Sequence, residues 1–190
     1  MRIALIRHAA TEGNYQRRYI GVTDEPLAKD AFDGVDLSVY PTAEAVVTSP
    51  MLRCVQTAER IYGGLPRYEY KGLSEYDFGA FEGKSYEDLK DSPEYVRWLA
   101  SNGKDAFPSG EGNAEFCERS CKAFREAIGQ QAAYSSLAFV VHGGTIMAVL
   151  ERFAPQHGSF YDFHLPTLGG YKAELDVETL KITALSKLCL

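Results

Sequence analysis

Cysteine is scarce and unpatterned in this sequence: four residues, at 54, 117, 121 and 189, with no Cys-x-x-Cys pair. That excludes a disulfide framework read from spacing, and with no histidine near 117 and 121 it offers no zinc-ligand pattern either. Buried free thiols in a reducing cytoplasm are expected. Positive charge is also in deficit. Lys and Arg number 20 against 26 Asp and Glu, a formal net charge of −6, so no global field exists to hold nucleic acid or an anionic membrane. Long apolar runs are missing. The longest, Leu137 to Leu150, is broken by His142, Gly143, Gly144 and Thr145, which rules it out as a transmembrane span. Ile3 to Ile6 is too short for the apolar core of a signal peptide. Repeats, low-complexity tracts and linkers are absent, and 190 residues suit one domain over 1–190. A hydrophobic content of 45% beside 24% charged residues excludes a disordered chain. Nothing here sets the oligomeric state.

What is present is an alternation of short apolar runs with helical patterns. Ile3 to Ile6, Glu44 to Thr48 and Leu137 to Val141 read as strands buried on both faces. Ser49-Pro50 after the second run predicts an N-cap and a first-turn proline, opening a helix with Leu52, Val55, Ala58 and Ile61 on one face. Ile146 to Phe153 predicts the helix after the third run. Helical spacing also runs over 85–100 and 114–133, and 168–176 and 179–186 read as two late strands joined by a turn near Val177-Glu178. Residues 63–83 and 101–113 read as loops. The pattern predicts an α/β fold, a three-layer sandwich around a mostly parallel sheet with an antiparallel edge.

Ligands of such sheets bind beyond the carboxyl ends of the strands. There the sequence places Arg7 and His8, then Arg53, then His142. Gly143 and Gly144 permit close backbone approach at the start of the last helix. An electropositive pocket on an acidic chain is expected, with a phosphate or carboxylate as its guest. Tyr15, Tyr19, Tyr76, Phe78 and Phe81 either wall such a pocket for a ring-bearing substrate or pack their own loops.

Leu5 to Asn14, with Arg7-His8 at its centre, resembles the Arg-His-Gly motif of the histidine phosphatase superfamily, phosphoglycerate mutase-like branch. Gly21 to Leu27, Ser49 to Ala58, Leu73 to Glu75 with Phe78 to Gly83, and Val141 to Gly144 follow in the family's order. The resemblance implies a phosphoglycerate mutase-like fold and a phosphomonoesterase working on a small-molecule ester. It implies His8 as the nucleophile that takes the phosphoryl group, with Arg7, Arg53 and His142 around the phosphoryl oxygens and Asn14 and the Gly143 N–H adding hydrogen bonds. Arginine suits that duty through its fixed fork of donors. Glu75, Asp77 and Glu82 compete for the proton-transfer role, and the motif favours Glu75, with Glu82 read as opening a helix. No metal or other cofactor is expected, because arginines supply the positive charge.

Ala9 stands where the family usually has glycine, placing a methyl near the phosphate. Residues 28–43 look short and acidic for the segment usual there, and Gly112 replaces a serine in Pro108 to Gly112. The Gly21 to Leu27 and Leu73 to Gly83 blocks resemble α-ribazole phosphatases and broad-specificity relatives. A phosphoglycerate mutase is the enzymatic alternative, although mutases of the family tend to be longer. A non-catalytic phospholigand-binding domain is the other.

Overall fold

The apolar runs 3–6, 44–48 and 137–141 lie side by side. The computed structural model describes residues 1–189 and arranges them as β1 (Arg2–Arg7), α1 (Glu12–Tyr15), β2 (Ala45–Thr48), α2 (Leu52–Tyr62), β3 (Arg67–Glu69), α3 (Tyr86–Leu89), α4 (Pro93–Ala100), α5 (Asn113–Gln130), β4 (Ser136–Val141), α6 (Gly143–Phe153), β5 (Gly170–Leu175) and β6 (Ile182–Lys187). The six strands form one sheet in the order β3-β2-β4-β1-β5-β6. β3, β2, β4 and β1 are mutually parallel, and β5 and β6 add an antiparallel edge. Side chains alternate across the strands with period two. Ile3, Leu5, Val47 and Phe139 therefore face Phe124 of α5 and Ile146 of α6, while Ala4, Ile6, Val46 and Val140 face Cys54, Ala58 and Tyr62 of α2. This is the three-layer sandwich the sequence predicts.

Four local expectations are corrected. The helix expected from Ser49-Pro50 begins at Leu52, its N-cap Met51 has no side-chain cap, and Ser49 instead accepts the Met51 N–H at 3.3 Å. The continuous helix over 85–100 is two: Ser85 caps α3, and Ser92 with Pro93 starts α4 afresh, because proline cannot donate to a preceding turn. Residues 63–83 hold β3 as well as loop, its exposed Arg67 and Glu69 hiding it from a search for apolar runs. Glu82 opens no helix. It follows a 3-10 turn, Gly79–Phe81, and accepts the Gly21 and Thr23 N–H groups. The thiols are mixed as well: Cys54 and Cys121 are buried, Cys117 partly so, and Cys189 exposed.

A third cluster caps the carboxyl end of the sheet. Tyr76, Phe81, Leu89, Tyr95, Phe107 and Phe116 pack together from the 70–83 loop, α3, α4, the 101–112 loop and α5. Tyr76 stacks on Phe116 with ring centroids 3.5 Å apart. Among the described residues no helix is long and apolar enough to cross a membrane.

Candidate active site

Register brings the two strand-end histidines together. Arg7 of β1 pairs with Val141 of β4, the His8 N–H donates to the Val141 carbonyl at 2.9 Å, and the two imidazole centroids are 5.2 Å apart. The His8 Nδ1–H donates to the Ala9 carbonyl at 2.7 Å, which puts the ring's lone pair on Nε2. Burial, then Arg53 and Arg7, hold the imidazole well below its ordinary value, so it is neutral. Arg7 donates from Nη1 to the Leu165 carbonyl at 2.6 Å, which aims its guanidinium, and its buried Nε–H has no partner among the described residues.

A cavity of about 290 Å³ opens over His8. Arg7, His8, Asn14, Glu75 and Gly143 all line it. Asn14 Oδ1 accepts the Thr11 N–H, and its amide NH2 has no partner among the described residues. Glu75 reaches the floor through two backbone bonds, accepting Gly144 N–H on Oε2 and Tyr76 N–H on Oε1, both 3.1 Å. Burial raises its pKa above the ordinary 4.5, against the pull of those N–H groups and of Arg7 and Arg53. Asp77 does not line the cavity. Its carboxylate accepts the Gly79 N–H and it borders a separate depression with Glu111 and Arg119.

Arg53 and His142 lie behind His8, wholly buried and outside the open cavity. Arg53 donates to the Thr23 and Gly21 carbonyls, each at 2.8 Å, while its Nε–H is unpartnered among the described residues. It therefore clamps the 21–24 loop that Glu82 holds from the other side. His142 Nε2 is 2.8 Å from Ser49 Oγ. Ala9 corrects an expectation: its methyl is fully buried in the α2-side core and does not face the cavity.

The aromatic wall is real but differently composed. Tyr19, Tyr76 and Phe78 line the cavity, joined by Trp98, Phe107, Phe160 and Tyr161. Tyr15 is half exposed and donates to Asp30, and Phe81 is packed in the cap. Arg18 and His164 stand at the rim, where the sequence pattern did not place them. Neither follows a strand end, so position gave no signal for them.

This arrangement has counterparts. The family model of the histidine phosphatase superfamily (branch 1) matches residues 3–187. The chain belongs to that superfamily. As a histidine phosphatase it is an enzyme acting on phosphate esters. The uncharacterized phosphatase PhoE of Bacillus subtilis is 28% identical over 159 residues, covering 80% of this chain and 77% of the relative. The adenosylcobalamin/alpha-ribazole phosphatase of Salmonella typhimurium is 27% identical over 161 residues, with 80% and 79% covered. In structure this histidine phosphatase resembles the alpha-ribazole phosphatase from Shigella flexneri, with a TM-score of 0.77 at 22% identity over 96% of this chain and 95% of the other, a likeness of fold. It also resembles phosphoglycerate mutase from Thermus thermophilus, with a TM-score of 0.71 at 26% identity over 100% and 99%.

Proposed function

We propose that the protein is a phosphomonoesterase that works through a phosphohistidine on His8. The observation that carries this reading is the His8 ring itself: neutral, with Nδ1–H spent on the Ala9 carbonyl and Nε2 offered to a cavity that Arg7 borders. A neutral imidazole so oriented needs no separate base. Its Nε2 lone pair attacks phosphorus as the ester P–O bond breaks, and the leaving alkoxide takes a proton from Glu75, whose carboxyl burial shifts toward the protonated form. Water then attacks the phosphohistidine, Glu75 takes a proton from it, the P–N bond breaks and His8 is restored.

Arg7, Asn14 and the Gly143 N–H border the cavity and stabilise the charge that spreads over the phosphoryl oxygens during the in-line transfers, and Arg53 and His142, buried behind His8, support that charge from beneath the cavity floor. Two guanidinium groups, Arg7, whose pKa is lowered first by burial and then by Arg53, and Arg53 itself, supply the positive charge that a metal ion gives elsewhere. The reaction proceeds without one. The apolar, aromatic outer cavity suits a ring-bearing leaving group, which makes the α-ribazole phosphate named for the relatives the leading substrate. The four free thiols suit the reducing cytoplasm.

Phosphate release tests this, from α-ribazole phosphate, 3-phosphoglycerate and p-nitrophenyl phosphate in EDTA, with His8→Ala alongside. Wild-type release in EDTA, absent in the variant and inhibited by vanadate, is the expected outcome. Dependence on added divalent metal sinks the metal-free scheme. No release from any ester returns the mutase and the phospholigand-binding domain to consideration, and phosphoglycerate isomerisation separates those two.

A further inference from the structure

Ser49 carries no part of the chemistry above, and it does not cap α2. Its hydroxyl is wholly buried with three neighbours. The Met51 N–H donates to it at 3.3 Å, His142 Nε2 is 2.8 Å away, and the Cys54 thiol, kept protonated by burial, touches it as well. The hydroxyl proton must find an acceptor, because a buried donor left unpaired is costly. Among the described residues, the one nitrogen or oxygen acceptor within its reach is His142 Nε2. Thiol sulfur is a weak acceptor, and Cys54 Sγ itself crowds that same nitrogen at 3.4 Å.

We infer that Ser49 fixes the tautomer of His142: its O–H donates to Nε2, which holds the imidazole proton on Nδ1 and makes His142 a donor through Nδ1. This rests on the reading of His142 as a donor to the phosphoryl group. Burial, with Arg53, His8 and Arg7 near, keeps His142 neutral, so one ring nitrogen carries hydrogen and the other a lone pair. The wrong tautomer sets a lone pair against an anion. Among the described residues the hydrogen-bond contact of Nδ1 is the Cys54 sulfur at 3.8 Å, too weak a partner to compete with a phosphoryl oxygen. Ser49 is thus a positioning residue, set beside the ring by the Pro50 turn.

Long-range proton–nitrogen NMR of the resting protein labelled at histidine nitrogen reads the tautomer directly, with His142→Gln assigning the signal among four histidines. His142 is expected to carry its proton on Nδ1. Ser49→Ala is expected to move it to Nε2 or mix the two, and to lower kcat about tenfold or more with KM little changed, as loss of a partner that orients a reactive histidine does. Ser49→Thr, which keeps the hydroxyl, restores both. A wild-type spectrum with hydrogen on Nε2 overturns the inference, and that result needs no variant to fold. A Ser49→Ala spectrum identical to wild type overturns it equally. Because the spectrum is taken without turnover, it reads the tautomer even in a protein that hydrolyses nothing. Hydrolysis by a protein with His142 protonated on Nε2 sinks this inference and leaves the proposed function standing.

Discussion

His8 and Glu75 share one cavity, yet burial acts on their charges in opposite directions. It disfavours imidazolium, so His8, with Arg53 and Arg7 adding repulsion, titrates well below 6.5. It disfavours carboxylate, so Glu75 titrates above 4.5. The sign for activity follows from the protonation each step needs. The nucleophile must be neutral, and it stays neutral as pH falls through 6.5. The acid must be protonated, and its contribution is lost as pH rises through the raised Glu75 value. On an alkyl phosphomonoester kcat/KM is therefore expected to persist through pH 6.5 on the acid side and to decline on the alkaline side. Glu75→Gln should remove that alkaline decline and cost about 10²–10⁴-fold on the alkyl ester. It should cost far less on p-nitrophenyl phosphate, whose leaving group needs no proton. An unaltered rate on the alkyl ester would mean that Glu75 is not the proton donor.

At the scale of elements, the start of α6 couples the backbone to the site. A Cβ on Gly144 would collide with Glu75 Oε1 and come within 3.0 Å of Phe116 Cζ and 3.1 Å of Tyr76 Cδ2. Phe116 and Tyr76 are stacked and cannot give way, so the carboxylate must move and its bond from the Gly144 N–H is lost. Gly144→Ala is expected to lower kcat on the alkyl ester at least about tenfold, by disturbing the acid, even though alanine favours a helix over glycine by about 1 kcal/mol. A kinetic comparison with Glu75→Gln checks this. Equal activity to wild type would mean that Glu75 has room to spare.

The same elements explain what the sequence disclosed. Ile3 to Ile6 and Leu137 to Val141 were legible because strands buried on both faces are continuous apolar runs, and the residues just past them, Arg7, His8 and His142, were placed by the topology alone. β3 was not, since its Arg67 and Glu69 are exposed at a sheet edge. Ser49-Pro50 has the composition of a helix start, but the buried imidazole of His142 takes the hydroxyl that a cap would have used. Asn14 and Glu75 came from motif resemblance, and Arg18, His164 and Trp98 came from neither source because loops converge on them from distant parts of the chain.

The whole molecule divides its apolar interior between a sheet core and an aromatic cap, and the two serve different ends. Phe124 is fully buried against Phe139 and Phe153 between α5 and the sheet. Phe81 is 2% exposed and meets Tyr19, Tyr95, Trp98 and Phe107, three of which line the cavity. Either phenylalanine cut to alanine leaves a cavity and should cost about 3–5 kcal/mol in denaturant unfolding. Their effects on the reaction should separate. Phe124→Ala is expected to leave KM for p-nitrophenyl phosphate near wild type, since the Phe139 and Phe153 rings it meets do not line the cavity. Phe81→Ala removes the support of Tyr19, Trp98 and Phe107, so KM for a ring-bearing ester should rise several-fold, about 1 kcal/mol of lost binding, while KM for a small aliphatic phosphate stays unchanged. Equal KM shifts for the two esters in Phe81→Ala would mean that the cap only stabilises the fold and the leaving group rests elsewhere.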